Sequence, residues 1–205
     1  MTNSDPVRGS VLADEPTPVR LMATIWADTA GLHDDFAGPA DLDAWLDAVG
    51  IDREDAKATQ EEFQSALNLR DSVRRLAAHL TGDKRAAAAS AVADVGDAAR
   101  TVNTAVSART IPRLRLNDGL LELAADSVGS PVVAGLAEVA YETQQLLGEN
   151  GSQLRACYAP GCVLYFVKTH PRRQWCSVAC GNRARAARHY ESVRSARVGV
   201  EHSNR

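Results

Sequence analysis

The segment CYAPGCVLYFVKTHPRRQWCSVACGNRARAARHY, residues 157–190, holds all four cysteines of the 205-residue chain. The cysteines follow the spacing C-x4-C-x13-C-x3-C. Two closely spaced pairs are typical of a structural zinc site, in which four thiolates surround the ion as a tetrahedron. We therefore predict one structural Zn²⁺ per chain, bound by Cys157, Cys162, Cys176 and Cys180.

Other uses of these thiols stay open at the level of sequence. Two disulfides require an oxidising compartment, and no secretory leader or membrane-spanning run indicates one, so we expect a cytoplasmic protein without a membrane partner. A redox-active pair fits four clustered cysteines less well than a metal does. His170 is an alternative ligand, although four thiols already complete the coordination shell.

The residues between the cysteines predict the local fold of a small module. Val163–Lys168 and Arg173–Trp175 are expected to form a β-hairpin. Ser177 is placed to cap a following helix, which puts Cys180 in the first turn, where the helix dipole favours a thiolate. The predicted order of knuckle, hairpin and helix is treble-clef-like.

Charge divides the chain into two parts. Residues 1–151 carry 13 basic and 24 acidic side chains, a net of -11, whereas residues 152–205 carry 10 and 2, a net of +8. We predict a tail over residues 1–18, a helical domain over 19–150, the cysteine module over 151–198 and a second tail over 199–205. The two parts are expected to have different partners, or to bind each other.

The acidic part is predicted to be mainly helical, with one small β-hairpin. Its helices are expected from Asp41 to Gly50, from Asp52 or Asp55 to about Gly82, over residues 83–108, and from Pro131 onward, with a hairpin turn at Asn117, Asp118 and Gly119. We expect this domain to fold independently and to sense a small-molecule effector or to form a homodimer.

Two resemblances follow from particular motifs. The pattern C-YAPG-C at 157–162, with W-C-SVA-C-G-N-R at 175–183, resembles the CGNR zinc-finger family, named for residues 180–183. The segments MATIWADTAGLHDDFAGPADLDAWL and LRDSVRRLAAHL resemble the ABATE domain of stress-induced transcription regulators. The resemblance implies a DNA-binding zinc module behind a helical N-terminal domain.

The helix after Cys176 is expected to have two faces. An apolar stripe is predicted at Ala179, Ala186, Tyr190 and Val193, and Arg183 lies near it and is expected to bond within the module. The opposite face and the hairpin supply the predicted DNA-binding residues, which are Lys168, Arg172, Arg173, Asn182, Arg185, Arg188 and His189.

Two rival functions remain at this stage. In the first, zinc serves only folding, and the basic helix binds an acidic partner or the chain's own acidic domain. In the second, the protein is an enzyme. We expect no enzyme, because a four-thiolate site leaves no open coordination position and no paired carboxylate and histidine set accompanies it.

Overall fold

The computed structural model describes residues 12–86, 90–125 and 129–203. Its helices are α1 (Thr17–Met22), α2 (Pro39–Val49), α3 (Gln60–Thr81), α4 (Val95–Val106), α5 (Pro131–Gly148) and α6 (Val178–Ser203). Its antiparallel strand pairs are β1 (Ile25–Ala27) with β2 (Leu32–Asp34), β3 (Pro112–Asn117) with β4 (Leu120–Ala125), and β5 (Leu154–Ala156) with β6 (Tyr165–Val167). The mainly α architecture is therefore as predicted. Within the described ranges, no helix combines the length and apolar character needed to cross a bilayer.

Helix α3 runs through the middle of the helical part. Thr59 accepts a hydrogen bond from the Glu62 N–H, and the Glu62 carboxylate accepts one from the Thr59 N–H, which is a capping box. The predicted start at Asp52 or Asp55 was too early, because Thr59 and Glu62 supply the capping pair and Asp55 lies at φ 60. The predicted end is confirmed, since Gly82 takes the left-handed conformation at φ 64.

Helices α2 and α5 pack beside α3. Helix α2 begins at Pro39, before the predicted start at Asp41. Asp41 occupies the third helical position, where its carboxylate accepts the N–H groups of Ala37 and Gly38. Gly50 ends the helix at φ 80, as expected. The prediction that α5 begins at Pro131 is confirmed, because proline suits the first helical position, where no N–H is needed.

The helix in segment 83–108 is shorter than predicted. In the described part of this segment the α-helix is α4, which begins where Asp94 accepts a hydrogen bond from the Asp97 N–H at 2.8 Å. Residues 83–85 and 90–94 are not helical, and residues 87–89 lie outside the described part. The alanine-rich composition predicts one continuous helix, but the helix begins later because Asp94 caps it.

The predicted hairpin is present and protrudes from the molecule. Asn117 pairs with Leu120, so Asp118 and Gly119 form a two-residue turn, with positive φ values of 49 and 80. Positive φ at both positions defines the type I′ turn that joins twisted antiparallel strands. All six residues of β3 are exposed, and so are Leu120, Leu121 and Leu123 of β4, so these leucines do not pack on the rest of the described chain.

A single hydrophobic core joins the helical part to the cysteine module. It extends from Trp45, Leu69 and Val139 in the helices to Leu154 and Tyr165 in the strands β5 and β6, and it includes all four cysteines. The two parts bury surface in the same core, and the independent folding of residues 19–150 stays a prediction.

The start of the described chain belongs to this fold. Residues 1–18 were predicted to be a tail, but Leu12 is only 4% exposed and Glu15 is 6% exposed. The prediction is wrong for residues 12–18 because Leu12 joins the core and α1 packs against α3 and α5. Residues 1–11 lie outside the described part of the chain.

The cysteine module has a different hairpin from the one predicted. Strand β6 lies inside the predicted segment Val163–Lys168, but it pairs with β5, which precedes Cys157. Arg173–Trp175 forms no strand, because the chain turns there, with the Arg173 N–H donating to the His170 carbonyl at 2.9 Å. Helix α6 also continues to Ser203, beyond the predicted boundary at residue 198.

Candidate metal centre and basic helix

The first cysteine pair lies in the loop that joins β5 to β6. The Cys157 N–H donates to the Leu164 carbonyl and the Cys162 N–H donates to the Ala159 carbonyl, each at 2.9 Å. Gly161 has φ 73, a conformation that side chains disfavour, and it lets the loop return sharply before Cys162. The result is a knuckle that turns both sulfurs to one side.

The second pair lies at the start of α6. The Ser177 hydroxyl accepts a hydrogen bond from the Cys180 N–H at 3.2 Å, so the predicted cap is confirmed. Cys176 directly precedes this cap, and Cys180 lies in the first turn of the helix. Gly181 allows Trp175 to pack closely, because a Cβ at this position would lie 3.1 Å from the indole ring.

The four sulfurs have the separations that a tetrahedral zinc site needs. All four are buried and lie within 4.8 Å of one another. The Cys162 and Cys176 sulfurs are 3.8 Å apart, and those of Cys176 and Cys180 are 3.4 Å apart. Zinc–sulfur bonds of about 2.3 Å place tetrahedral ligands roughly 3.8 Å apart. The donor set therefore fits one structural Zn²⁺ with a closed shell.

His170 does not join this cluster. Its Nδ1 accepts a hydrogen bond from the Arg172 N–H at 3.1 Å, and the residue is exposed. The alternative in which His170 replaces one thiolate is therefore not supported.

The close approach of the four thiols lowers the pKa of two of them and raises the pKa of the other two. Hydrogen bonding, chiefly from Cys162, lowers the pKa of Cys157 to about 7, and hydrogen bonding, chiefly from Cys157, lowers the pKa of Cys180. The pKa values of Cys162 and Cys176 are raised, in both cases chiefly by Cys157. Four sulfurs this close cannot all ionise without a cation, and a divalent metal stabilises the thiolate at every position.

An arginine from the helical part supports the knuckle. Arg85 Nη1 donates to the carbonyls of Cys157 and Cys162 at 2.7 and 2.5 Å, and its guanidinium pairs with the buried Asp83 carboxylate. The Tyr165 hydroxyl donates to Asp83 at 3.2 Å. Burial raises the pKa of Asp83, but hydrogen bonds from Arg85 outweigh it and lower that pKa. Sequence reasoning missed this support, because Arg85 lies 72 and 77 residues from the carbonyls it binds.

A second support comes from the start of the chain. The Glu15 carboxylate accepts the Val167 N–H at 2.9 Å and pairs with the Arg173 guanidinium. Arg173 also donates to the carbonyls of Val167 and Cys176, at 3.0 and 3.1 Å. The assignment of Arg173 to DNA binding is therefore corrected, because these contacts within the module occupy its guanidinium.

The other predicted DNA-binding residues lie at the surface. Lys168 is half-buried, and the exposed residues are Arg172, Asn182, Arg185, Arg188 and His189. Arg185 donates to the Asn182 side chain, and Arg188 donates to the Ala184 carbonyl at 3.3 Å. Neither arginine pairs with a carboxylate among the residues that the structure describes. With respect to the described residues, this basic face of α6 is therefore open.

The apolar stripe predicted for α6 is not the side of the helix that packs on the module. Tyr190 is 74% exposed, and Ala179, Ala186 and Val193 are also exposed. The side that packs instead carries Cys180, Gly181 and Ala184. The metal ligand sets this orientation, because Cys180 must point at the other sulfurs and Ala184 lies one turn further on the same side.

Arg183 bonds within the module, as predicted. Its guanidinium donates to the Cys180 sulfur at 3.0 Å. Partial burial lowers the pKa of Arg183, but the hydrogen bond to Cys180 outweighs it and raises that pKa. An N–H donor to a metal-binding thiolate offsets part of the negative charge that four thiolates place on the site.

These features define a four-cysteine zinc finger joined to a helical N-terminal domain. Residues 153–192 match the CGNR zinc finger model, and residues 15–149 match the ABATE model, described as "Putative stress-induced transcription regulator". The chain belongs to the ABATE family, and the resemblance drawn from its sequence motifs is confirmed. A comparison with curated proteins finds no significant match.

Proposed function

We propose that this protein is a transcription regulator that binds duplex DNA through the open face of α6. The observation that carries the proposal is the exposure of Arg185 and Arg188 without a carboxylate partner in the described part of the chain. A cationic face without a described carboxylate partner is available to phosphates. An α-helix of this kind also fits the major groove.

The residues on this face suit different parts of a duplex. Arg185 and Arg188 are placed to meet phosphates or guanine edges, and Asn182 carries the amide that pairs with adenine. His189 lies about one turn after Arg185 on the same face. Lys168 and Arg172, on the loop before the helix, supply backbone contacts that set the position of the module.

The charge distribution favours an approach by the module alone. The segment 152–205 has a net charge of +8, whereas residues 1–151 have a net charge of -11. DNA, a polyanion, attracts the positively charged zinc module and repels the negatively charged helical part. The zinc module therefore faces the duplex and the helical part faces away.

The rival functions are less well supported. Docking of the basic face on the chain's own acidic domain would pair Arg185 or Arg188 with a carboxylate, and the described residues contain no such pair. Catalysis at the metal has little basis, because four thiolates fill the coordination shell. The sensing role and its effector stay predictions.

Salt dependence of duplex binding tests the proposal. About four phosphate contacts give a slope near -3.6 in a plot of log affinity against log salt concentration. Fluorescence anisotropy with a labelled duplex of random sequence measures this slope for the full zinc-loaded chain. A slope close to zero, or no binding at low salt, would overturn the assignment to DNA. Binding to an acidic protein instead would support the interaction alternative.

A further inference from the structure

The hairpin β3–β4 has one polar face and one apolar face. Cross-strand partners lie on the same side of an antiparallel pair, and Leu114 pairs with Leu123 while Leu116 pairs with Leu121. These four leucines therefore form a two-by-two array on one face. Arg115 pairs with Glu122 on the opposite face. This alternation is that of a sheet with one face buried, yet no described residue covers the leucine face.

The four leucines are among the most exposed apolar residues described. Their exposed fractions are 69% for Leu114, 72% for Leu116, 70% for Leu121 and 70% for Leu123. The hairpin is built from short, fully paired strands, so the exposure does not come from a poorly formed element. A patch of this kind on a protein surface marks an interaction site.

We propose that the leucine face of the hairpin packs against the same face of a second copy of this chain. The array is self-complementary, because a two-fold axis that lies between the two faces and perpendicular to the strands brings the Leu114–Leu123 row of each copy onto the Leu116–Leu121 row of the other. Two such hairpins pack face to face about 10 Å apart, as in a small β-sandwich.

The area of the patch suits a reversible dimer. A leucine side chain exposed to this extent offers on the order of 100 Å² of apolar surface, so the array offers about 400 Å² per chain. Two copies bury about 800 Å² through these side chains alone, which is below the roughly 1,200 Å² of a stable interface and in the range of weak, transient association. The association is therefore expected to depend on concentration.

Charge on the hairpin also favours a second copy over a charged partner. Residues 112–125 carry two basic and two acidic side chains, a net charge of zero, although residues 1–151 have a net charge of -11. A neutral hairpin does not repel its own copy and offers no net charge to attract an unlike partner. The charged bodies of the two copies stay apart because the hairpin protrudes.

Sedimentation velocity of the full zinc-loaded chain tests the proposal over about a hundredfold range of concentration. The wild type should approach twice the chain mass of 21.9 kDa at the high end. The double variant Leu116→Glu with Leu121→Lys should remain a monomer throughout. Opposite charges on directly paired positions preserve the hairpin while they remove its apolar centre.

Leu120→Lys is the matched control. Leu120 lies in the same hairpin and is 67% exposed, but it pairs with Asn117 on the opposite face. This variant should dimerise like the wild type. A wild type that stays monomeric overturns the proposal, as does a double variant that still dimerises or a control that fails equally. If the double variant loses zinc, the single variant Leu123→Ser replaces it in the same comparison.

The dimer does not depend on DNA binding, and the two proposals fail separately. The double variant keeps the whole zinc module, so each chain should still bind a labelled duplex. A wild-type dimer without affinity for DNA would remove the proposed function alone. A monomer with salt-dependent DNA binding would remove the dimer alone.

Discussion

Two pairs of arginines near the metal centre have opposite environments. Arg85 and Arg173 turn inward, where they donate to main-chain carbonyls of the module and pair with the buried Asp83 and Glu15. Arg185 and Arg188 turn outward from α6, and their described hydrogen bonds stay within that helix. The first pair holds the module on the helical part, and we propose that the second pair binds DNA.

The difference shows that positive charge near a zinc site does not by itself indicate a nucleic-acid interface. Arg173 lies in the sequence segment that carries the greatest basic density, and yet its guanidinium is used inside the module. Arg85 and Arg173 instead donate to main-chain carbonyls of the knuckle and the turn, where a buried acceptor without a donor costs about 1–3 kcal/mol. Arg185 and Arg188 do not belong to this set, because their described hydrogen bonds stay within α6 and no described carboxylate pairs with them.

Of the changes considered, loss of the metal is expected to lower the stability of the fold the most. Cys176→Ser removes one of four ligands, and the zinc contributes roughly 10–16 kcal/mol to folding in small modules, which matches or exceeds the stability of a typical domain. Because the cysteines belong to the common core, the helical part should lose its cooperative melting transition as well. Circular dichroism melting together with metal analysis measures both effects.

Ser177→Ala is the control for that experiment. It removes the helix cap next to Cys176 but leaves all four thiols, so it should keep zinc and lose only about 1 kcal/mol. If Cys176→Ser loses zinc but keeps the melting temperature of the wild type, the helical part folds on its own, as its sequence predicted.

Removal of an inward arginine is expected to have an intermediate effect. Arg85→Met leaves two carbonyls of the knuckle without a donor and leaves Asp83, whose side chain is fully buried, without its cation. The free energy of unfolding should fall by about 2–4 kcal/mol. Urea unfolding measures the change. Arg100→Met, which breaks an exposed ion pair in α4, should cost less than about 1 kcal/mol, and equal losses would contradict the role given to Arg85.

Local signals predicted the parts of the fold that depend on local structure. Gly50, Gly82 and Pro131 fix helix ends through their own conformational preferences, and the turn at Asp118 and Gly119 fixes the hairpin. The predicted start of α3 is too early, although the sequence contains the signal for the true start. That signal is the capping box formed by Thr59 and Glu62. Strand β5 was missed because three residues carry too little periodicity.

The site was predictable where spacing determines it and not where distant residues meet. The cysteine spacing indicated the zinc cluster, and Ser177 indicated the helix cap. The contacts of Arg85 and Glu15 join residues far apart in the chain, so no local sequence pattern predicts them. The packed side of α6 was predicted wrongly from apolar residues alone. A ligand on a helix must face its metal, and that rule applied to Cys180 would have identified Ala184.

One duplex titration compares the outward arginines with charges elsewhere on the chain. The variant Arg185→Ala with Arg188→Ala and the variant Arg100→Ala with Arg113→Ala each remove two positive charges, and all four side chains are exposed. We predict that the first loses at least about tenfold in affinity for a labelled duplex, and the second less than about twofold. Both should keep zinc and the unfolding midpoint of the wild type. Equal losses by the two variants, or unchanged binding by the Arg185 and Arg188 variant, would contradict the assignment of this face to DNA.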